Sequence, residues 1–188
     1  MRIAVIGAGN IGGTLGWKWA QAGHDVVYGV RHSTGTDQTT PDQAVVDAEV
    51  IVLAVPGTAA KDVVGSLGEA LNGKVVIDAT NDIESSGKLH ALDEIADGAL
   101  PVRAFNTLGW ECFADPIIGG QRADLLYAAK EGRATDVAEQ LIRDVGLEPV
   151  WLGGVEAFDT VDSLTRVWFT LALRRGLGRH LALKVLHD

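Results

Sequence analysis

Gly7, Gly9 and Gly12 punctuate the run GAGNIG, which follows the apolar segment RIAVI and opens a stretch where Ile11, Leu15 and Trp19 recur at helical spacing. A strand that turns through glycine into a helix is suited to holding phosphate. The first glycine permits the tight turn, the second removes a Cβ that would obstruct a pyrophosphate, and the third lets helix and strand pack closely. Asn10 and Ile11 open the helix, where unpaired backbone amides and the helix dipole favour an anion. The pattern therefore predicts a dinucleotide site. Gly13 and Gly16 read as close-packing positions rather than ligand contacts.

The end of the second strand decides which dinucleotide. A fold of this kind that takes NAD places Asp or Glu there to hydrogen-bond the ribose hydroxyls. Here VVYGVR ends on Arg31, followed by His32, Ser33 and Thr34, with no carboxylate before Asp37. A guanidinium grips phosphate through two hydrogen bonds and hydroxyls add donors, so Arg31, His32 and Ser33 are expected to hold the 2'-phosphate of NADP. Asp25 precedes the strand and reads as structural.

At the nicotinamide end, the loops LAVPGT, DATNDI and AFNTLGW follow the third, fourth and fifth apolar runs. Ligands of open α/β sheets lie beyond the carboxyl ends of the strands. Val55 and Pro56 are expected to wall the path from adenosine to nicotinamide. Thr80, Asn81, Asn106 and Thr107 offer neutral hydrogen-bonding groups for the nicotinamide amide; Asn81 and Asn106 equally suit turn or helix caps.

No catalytic side chain and no metal are expected. His24, His90 and His187 read as surface or capping residues, while His180 interrupts an apolar segment within GRH. Tyr28 and Tyr127 are followed four positions on by His32 and Glu131, so the Tyr-xxx-Lys arrangement of many carbonyl reductases is absent. Cys112 has no basic neighbour in sequence to activate it and reads as a buried apolar contact. The scattered acids and histidines show no metal-ligand spacing. Direct hydride transfer between two stacked redox groups needs close approach and orientation more than a general acid.

The scaffold for these residues is legible as alternating elements. RIAVIG, DVVYGVR, VVDAEVIVLAVP, KVVIDAT and ALPVRAFNT read as strands, separated by helices that include TAAKDVVGSLGEAL and SGKLHALDEIA. RADLLYAAK, ATDVAEQLIRDVG and LEPVWLGG continue as strand, amphipathic helix and strand. FDTVDSLTRVWFTLALRRG and LGRHLALKVL both read as helical, with Leu164, Val167, Trp168 and Leu171 on one apolar stripe. The expected class is α/β: a Rossmann-like, doubly wound, mostly parallel sheet with a C-terminal helical segment. Residues 1–152 form an NADP-binding domain, and 153–188 a helical extension packing on it or at a dimer interface.

The formal net charge of −9, from 25 acidic and 16 basic residues, argues against nucleic acid or an anionic membrane as partner. The lone Cys112 suits a reducing compartment, and no signal-peptide core or membrane span precedes Gly7, so the cytoplasm is expected.

MRIAVIGAGNIGGTLG, GVRHS, EVIVLAVP, VVIDATNDI and VRAFNTLGWECFADP together resemble the coenzyme F420-dependent NADP oxidoreductases, over about residues 1–152. The resemblance implies hydride transfer between NADP and a deazaflavin, coenzyme F420, stacked on the nicotinamide with no obligatory side-chain acid. It places Ala104–Thr107 beside the nicotinamide and Trp110 where the deazaflavin pocket begins. The family's Gly-Ser-Arg-Arg loop stands here as Gly29, Val30, Arg31 and His32, and the segment between Pro116 and Asp124 is compressed. Such enzymes commonly build the second-cofactor cleft across a homodimer interface. Arg174, Arg175 and Arg179 are either solvated or turned to an acidic second cofactor. Two other functions fit the residues: reduction of a small imine or carbonyl compound, and non-catalytic NADP sensing.

Overall fold

A computed structural model describes residues 1–187 apart from 33, 34, 85, 86, 96 and 97. The chain starts with β1 (Arg2–Ile6), α1 (Asn10–Gln21), β2 (Asp25–Gly29), the short β3 (Gln38–Thr39) and α2 (Pro41–Val45). It continues through β4 (Val50–Leu53), α3 (Gly57–Leu67), β5 (Val75–Asp78), β6 (Leu100–Arg103) and α4 (Trp110–Ala114). A hairpin of β7 (Ile117–Ile118) and β8 (Gln121–Arg122) leads to β9 (Asp124–Ala129), α5 (Arg133–Val145), β10 (Glu148–Trp151) and α6 (Phe158–Phe169).

The main sheet has the order β10-β9-β6-β5-β4-β1-β2-β3. Every pairing in it is parallel except β6 with β9. Successive strand residues point to opposite faces, and both faces are apolar. Ile3, Val5, Val52 and Ile77 meet Leu15 and Trp19 of α1 and Leu141 of α5, whereas Ala4, Ile6, Ile51 and Val76 meet Val45 of α2 and Val64 of α3. This two-sided burial is why the strands show no polar alternation.

Register sets the functional edge. Ile6 faces Gly29 and Leu53, Leu53 faces Asp78, and Asp78 faces Arg103, so five strands end at one level. The reversed direction of β9 and β10 has a second effect: with Ala128 opposite Arg103 and Trp151 opposite Tyr127, both start beyond this edge and end about level with it. Helix α6 therefore sets out from about the level of this edge. Its first turns pack through Phe158 and Val161 on Ala128, and its last brings Trp168 into the core beside Leu108.

The expected fold class holds, with local corrections. The described residues of SGKLHALDEIA form only a 3-10 turn at Leu92–Glu94 instead of a helix. Its amides are taken elsewhere: Leu89 N donates to Asp162 Oδ2 and Ala91 N to Asp78 Oδ2, both at 2.7 Å. LGRHLALKVL is not helical either. After α6 a π-helical turn runs over Thr170–Arg174, and Gly176 and Gly178 take φ +71° and +88°. The tail is then pinned as an open strap, since Asp124 is buried and accepts from Val185 N at 2.7 Å and from Lys184 Nζ. The buried stripe of α6 is Phe158, Val161, Thr165 and Trp168, continued by Ala172, whereas Val167 faces out at 45% exposure. The third strand is confined to Val50–Leu53 because Val45 closes α2.

Candidate functional site

At the level edge, Gly7 takes φ +105° and its amide donates to Gly29 O at 3.0 Å, tying the turn to β2. A Cβ on Gly12 would lie 1.9 Å from Gly7 O, so helix and turn meet backbone to backbone. Gly9 differs. A Cβ there would meet nothing within 4 Å, and the residue is the N-cap of α1. No side chain caps this helix and its first turn carries no acid, which leaves the opening amides at Asn10 and Ile11 to an anion. Gly16 is the close-packing position expected, with Tyr28 Oη 2.4 Å from where its Cβ would be; Gly13 has room.

Arg31 and His32 lie exposed just beyond β2, where Val30 N donates to Thr39 O at 2.8 Å and β3 steers the segment. Ser33 lies outside the described residues.

Farther along the edge, Ile11, Val55, Pro56, Thr80, Asn81 and Asn106 line one cleft of about 200 Å³, closed by Trp168, Phe169 and Arg179. Thr107 is buried beside it without lining it. The polar residues divide their work. Thr80 points inward, its hydroxyl and amide donating to Asp78 Oδ1 at 2.7 and 2.8 Å. Asn81 is a clamp: Nδ2 donates to Asn106 O at 2.9 Å and Oδ1 accepts from Arg103 Nη2 at 3.0 Å. Asn106 donates through Nδ2 to Thr165 Oγ1 at 2.7 Å but leaves Oδ1 buried without a partner. An unsatisfied buried acceptor costs about 1–3 kcal/mol. A carboxamide N–H would satisfy it.

The backbone before Asn106 is strained. Phe105 has φ +63°, and such a conformation in a bulky residue costs roughly 1–3 kcal/mol. Edge-to-face contacts with Trp19 and Phe113, at centroid distances of 5.6 and 5.8 Å, hold it there.

Arg103 is the residue that sequence reasoning missed. It is fully buried, with Nε donating to Asp162 Oδ1 at 2.8 Å and Nη1 to Thr80 O at 2.7 Å and Asp78 O at 3.1 Å. The signal available was an Asp and an Arg ending adjacent predicted strands. His90 was also misplaced: it is buried, not a surface residue. Its Nδ1 accepts from Leu92 N at 3.2 Å, which leaves the proton on Nε2, 3.8 Å from Asp159 and 4.0 Å from Asp162. Ligand atoms of the three lie within 4.8 Å of one another.

Among the described residues of the cleft, Arg179 is the one ionisable side chain, and it is bound to Glu111 Oε1 at 2.7 Å. Burial pushes the Cys112 thiol up and so keeps it neutral. Tyr127 is likewise raised by burial and by its hydrogen bond to Glu139. His180 is occupied by Asp115 O at 2.8 Å.

Residues 2–82 match the family model of the coenzyme F420-dependent NADP oxidoreductases. An F420-dependent NADP reductase of Methanothermobacter marburgensis is 28% identical, over 93% of each chain. Over these residues the chain is similar to this family of NADP-dependent oxidoreductases. At the level of fold, a candidate F420-dependent NADP reductase of Arthrobacter sp. FB24 covers all of both chains with a TM-score of 0.82 at 22% identity. A protein of Sinorhizobium meliloti covers the whole chain and 96% of its own, with a TM-score of 0.71 at 25% identity.

Similarity to the F420-dependent oxidoreductases directs attention to what adjoins the smaller cleft. A larger one, about 420 Å³, shares Phe169 with it and is lined by Ile83, Leu89, Arg166, Leu173 and Arg174. Trp110, expected at the start of a deazaflavin pocket, lines neither; it packs on the core. Trp168 and Phe169 stand at the clefts instead. Arg179 of the basic group faces the smaller cleft and Arg174 the larger. The compressed segment after Pro116 is the β7–β8 hairpin, turning at Gly119 and Gly120.

Proposed function

We propose that the chain transfers hydride between NADP(H), laid along the common strand ends, and a deazaflavin of the coenzyme F420 type seated in the larger cleft. One observation carries the choice of partner. The two clefts meet at Phe169, and the described lining of the inner one holds no side chain free to give or take a proton. NADPH supplies the hydride and the deazaflavin accepts it, a transfer that needs approach and alignment rather than a side-chain acid.

The chain's own residues then have separable parts. Gly9 and the opening turn of α1, with Asn10 and Ile11, take the pyrophosphate; Arg31 and His32 take the 2'-phosphate, with Ser33 next in sequence. Val55 and Pro56 wall the passage, and Asn106 Oδ1 accepts from the carboxamide. Thr80 and Asn81 shape the cleft from behind, and Thr107 supports the same loop. Trp168 and Phe169 exclude water, and Arg166 and Arg174 suit an anionic tail on an otherwise apolar floor.

Residues 1–152 supply the nucleotide half and the segment from 153 the acceptor half. Val167, Leu173 and Leu177 leave an exposed apolar surface at the end of α6, which supports a homodimer. Among the described residues no helix is long and apolar enough to cross a membrane, and one buried, unpaired cysteine suits the cytoplasm.

The deciding experiment is NADPH oxidation followed at the nicotinamide absorbance, with and without oxidised coenzyme F420. Acceptor-dependent turnover is the expected result. Tight NADPH binding without turnover would sink the deazaflavin assignment and direct the search to small imines, carbonyls or a sensing role.

A further inference from the structure

We infer that Arg103 is a positioning residue for the nicotinamide end of the site, acting as a strut between α6 and the loop after β5. The inference rests on the nucleotide reading above. Arg103 ends β6 and is wholly buried, so its charge must be answered locally. Two carboxylates do so: Asp162 of α6, 2.7 Å from Nη2, and Asp78 at the end of β5, 3.3 Å from Nη1.

A charge-balancing role alone would need only those two. The rest of the guanidinium fork is spent on the cleft. Nη1 donates to Thr80 O at 2.7 Å and Nη2 to Asn81 Oδ1 at 3.0 Å. With Oδ1 so held, the Asn81 amide can turn only one way, and its Nδ2 reaches Asn106 O at 2.9 Å. Helix α6 is fastened at both ends of this path, by Asp162 to Arg103 and by Thr165 to Asn106. Its next turn carries Trp168 and Phe169 to the same cleft. One planar group thus fixes the distance between the nucleotide loops and the opposing wall. Lysine gathers its three donors on one nitrogen and lacks the planar fork whose Nε, Nη1 and Nη2 reach Asp162, Thr80 and Asn81 from separate positions.

The test compares two ligands. NADPH spans the whole site, whereas 2',5'-ADP occupies only the adenosine end. For Arg103→Lys we expect NADPH binding to weaken about tenfold while 2',5'-ADP stays within about twofold of wild type. Asp162→Asn repeats the test from the α6 side, leaving Arg103 paired with Asp78. Equal weakening of both ligands, no change in either, or failure of both variants to fold would assign the network to stability alone and overturn the inference. A wild-type chain that binds neither ligand would instead overturn the nucleotide reading, and this inference with it.

Discussion

Gly9 and Gly12 share one turn yet are expected to fail differently when given a methyl group. At Gly9 the backbone is extended, with φ −76° and ψ −164°, and the space beside it is open. Gly9→Ala should hold stability within about 0.5 kcal/mol while NADPH affinity falls about tenfold, because the methyl stands where a pyrophosphate must lie. Gly12→Ala forces a Cβ against Gly7 O, so melting and binding should fall together, with about 1–3 kcal/mol lost. Thermal melts paired with NADPH titrations separate the cases, and a Gly9→Ala protein that binds normally would remove the turn from the site. Arg31 gives a sharper contrast. Arg31→Ala should weaken NADPH by roughly tenfold or more, the worth of a charged hydrogen bond, and leave NADH unchanged. Equal loss of both would show that Arg31 does not read the 2'-phosphate.

Elements explain what the sequence disclosed and what it hid. The apolar runs around Ile3, Ile51 and Val76 have no polar alternation, and that alone identifies buried parallel strands. Helices were harder where carboxylates far along the chain compete for their amides. Asp78 and Asp162 capture Ala91 N and Leu89 N, and helical periodicity near His90 carries no trace of that. The tail is similar, since Asp124 holds Val185 from a strand sixty-one positions away. Within the site, the glycine turn was legible because backbone geometry demands glycine at Gly7 and Gly12. The inward turn of Thr80 and Asn81 was not, because it depends on Arg103. Pairing between elements also yields a pH prediction. Tyr127 of β9 donates to Glu139 of α5 and is raised above its ordinary value of 10.0 by burial. In the unfolded chain it ionises first, so above pH 10 the folded state holds the extra proton and stability drops with rising pH. Urea melts from pH 8 to 10.5 should show this decline, and Tyr127→Phe should flatten it. Parallel curves would assign the decline to other groups.

For the whole molecule, the reversed pair β9 and β10 has the widest reach. It starts α6 level with the strand ends, so that the wall bearing Trp168 and Phe169 faces the loops bearing Pro56 and Asn106. The exposed Val167, Leu173 and Leu177 lie beside that wall. Sedimentation should therefore give twice the chain mass of 19.8 kDa, and Leu173→Glu should shift it toward one chain. A wild-type monomer would place the acceptor cleft within a single chain. The same layout orders events at the ribosome. Synthesis delivers the six parallel strands β1 to β6 first, and domains assemble from the N-terminus as the chain emerges. At that stage Arg103 has Asp78 but lacks Asp162, Asn106 lacks Thr165, and Trp168 has yet to be made. A nascent chain halted before α6 has the turn proposed to bind phosphate but no closed cleft, so on that reading competence for hydride transfer is the last property that this protein acquires during its own manufacture.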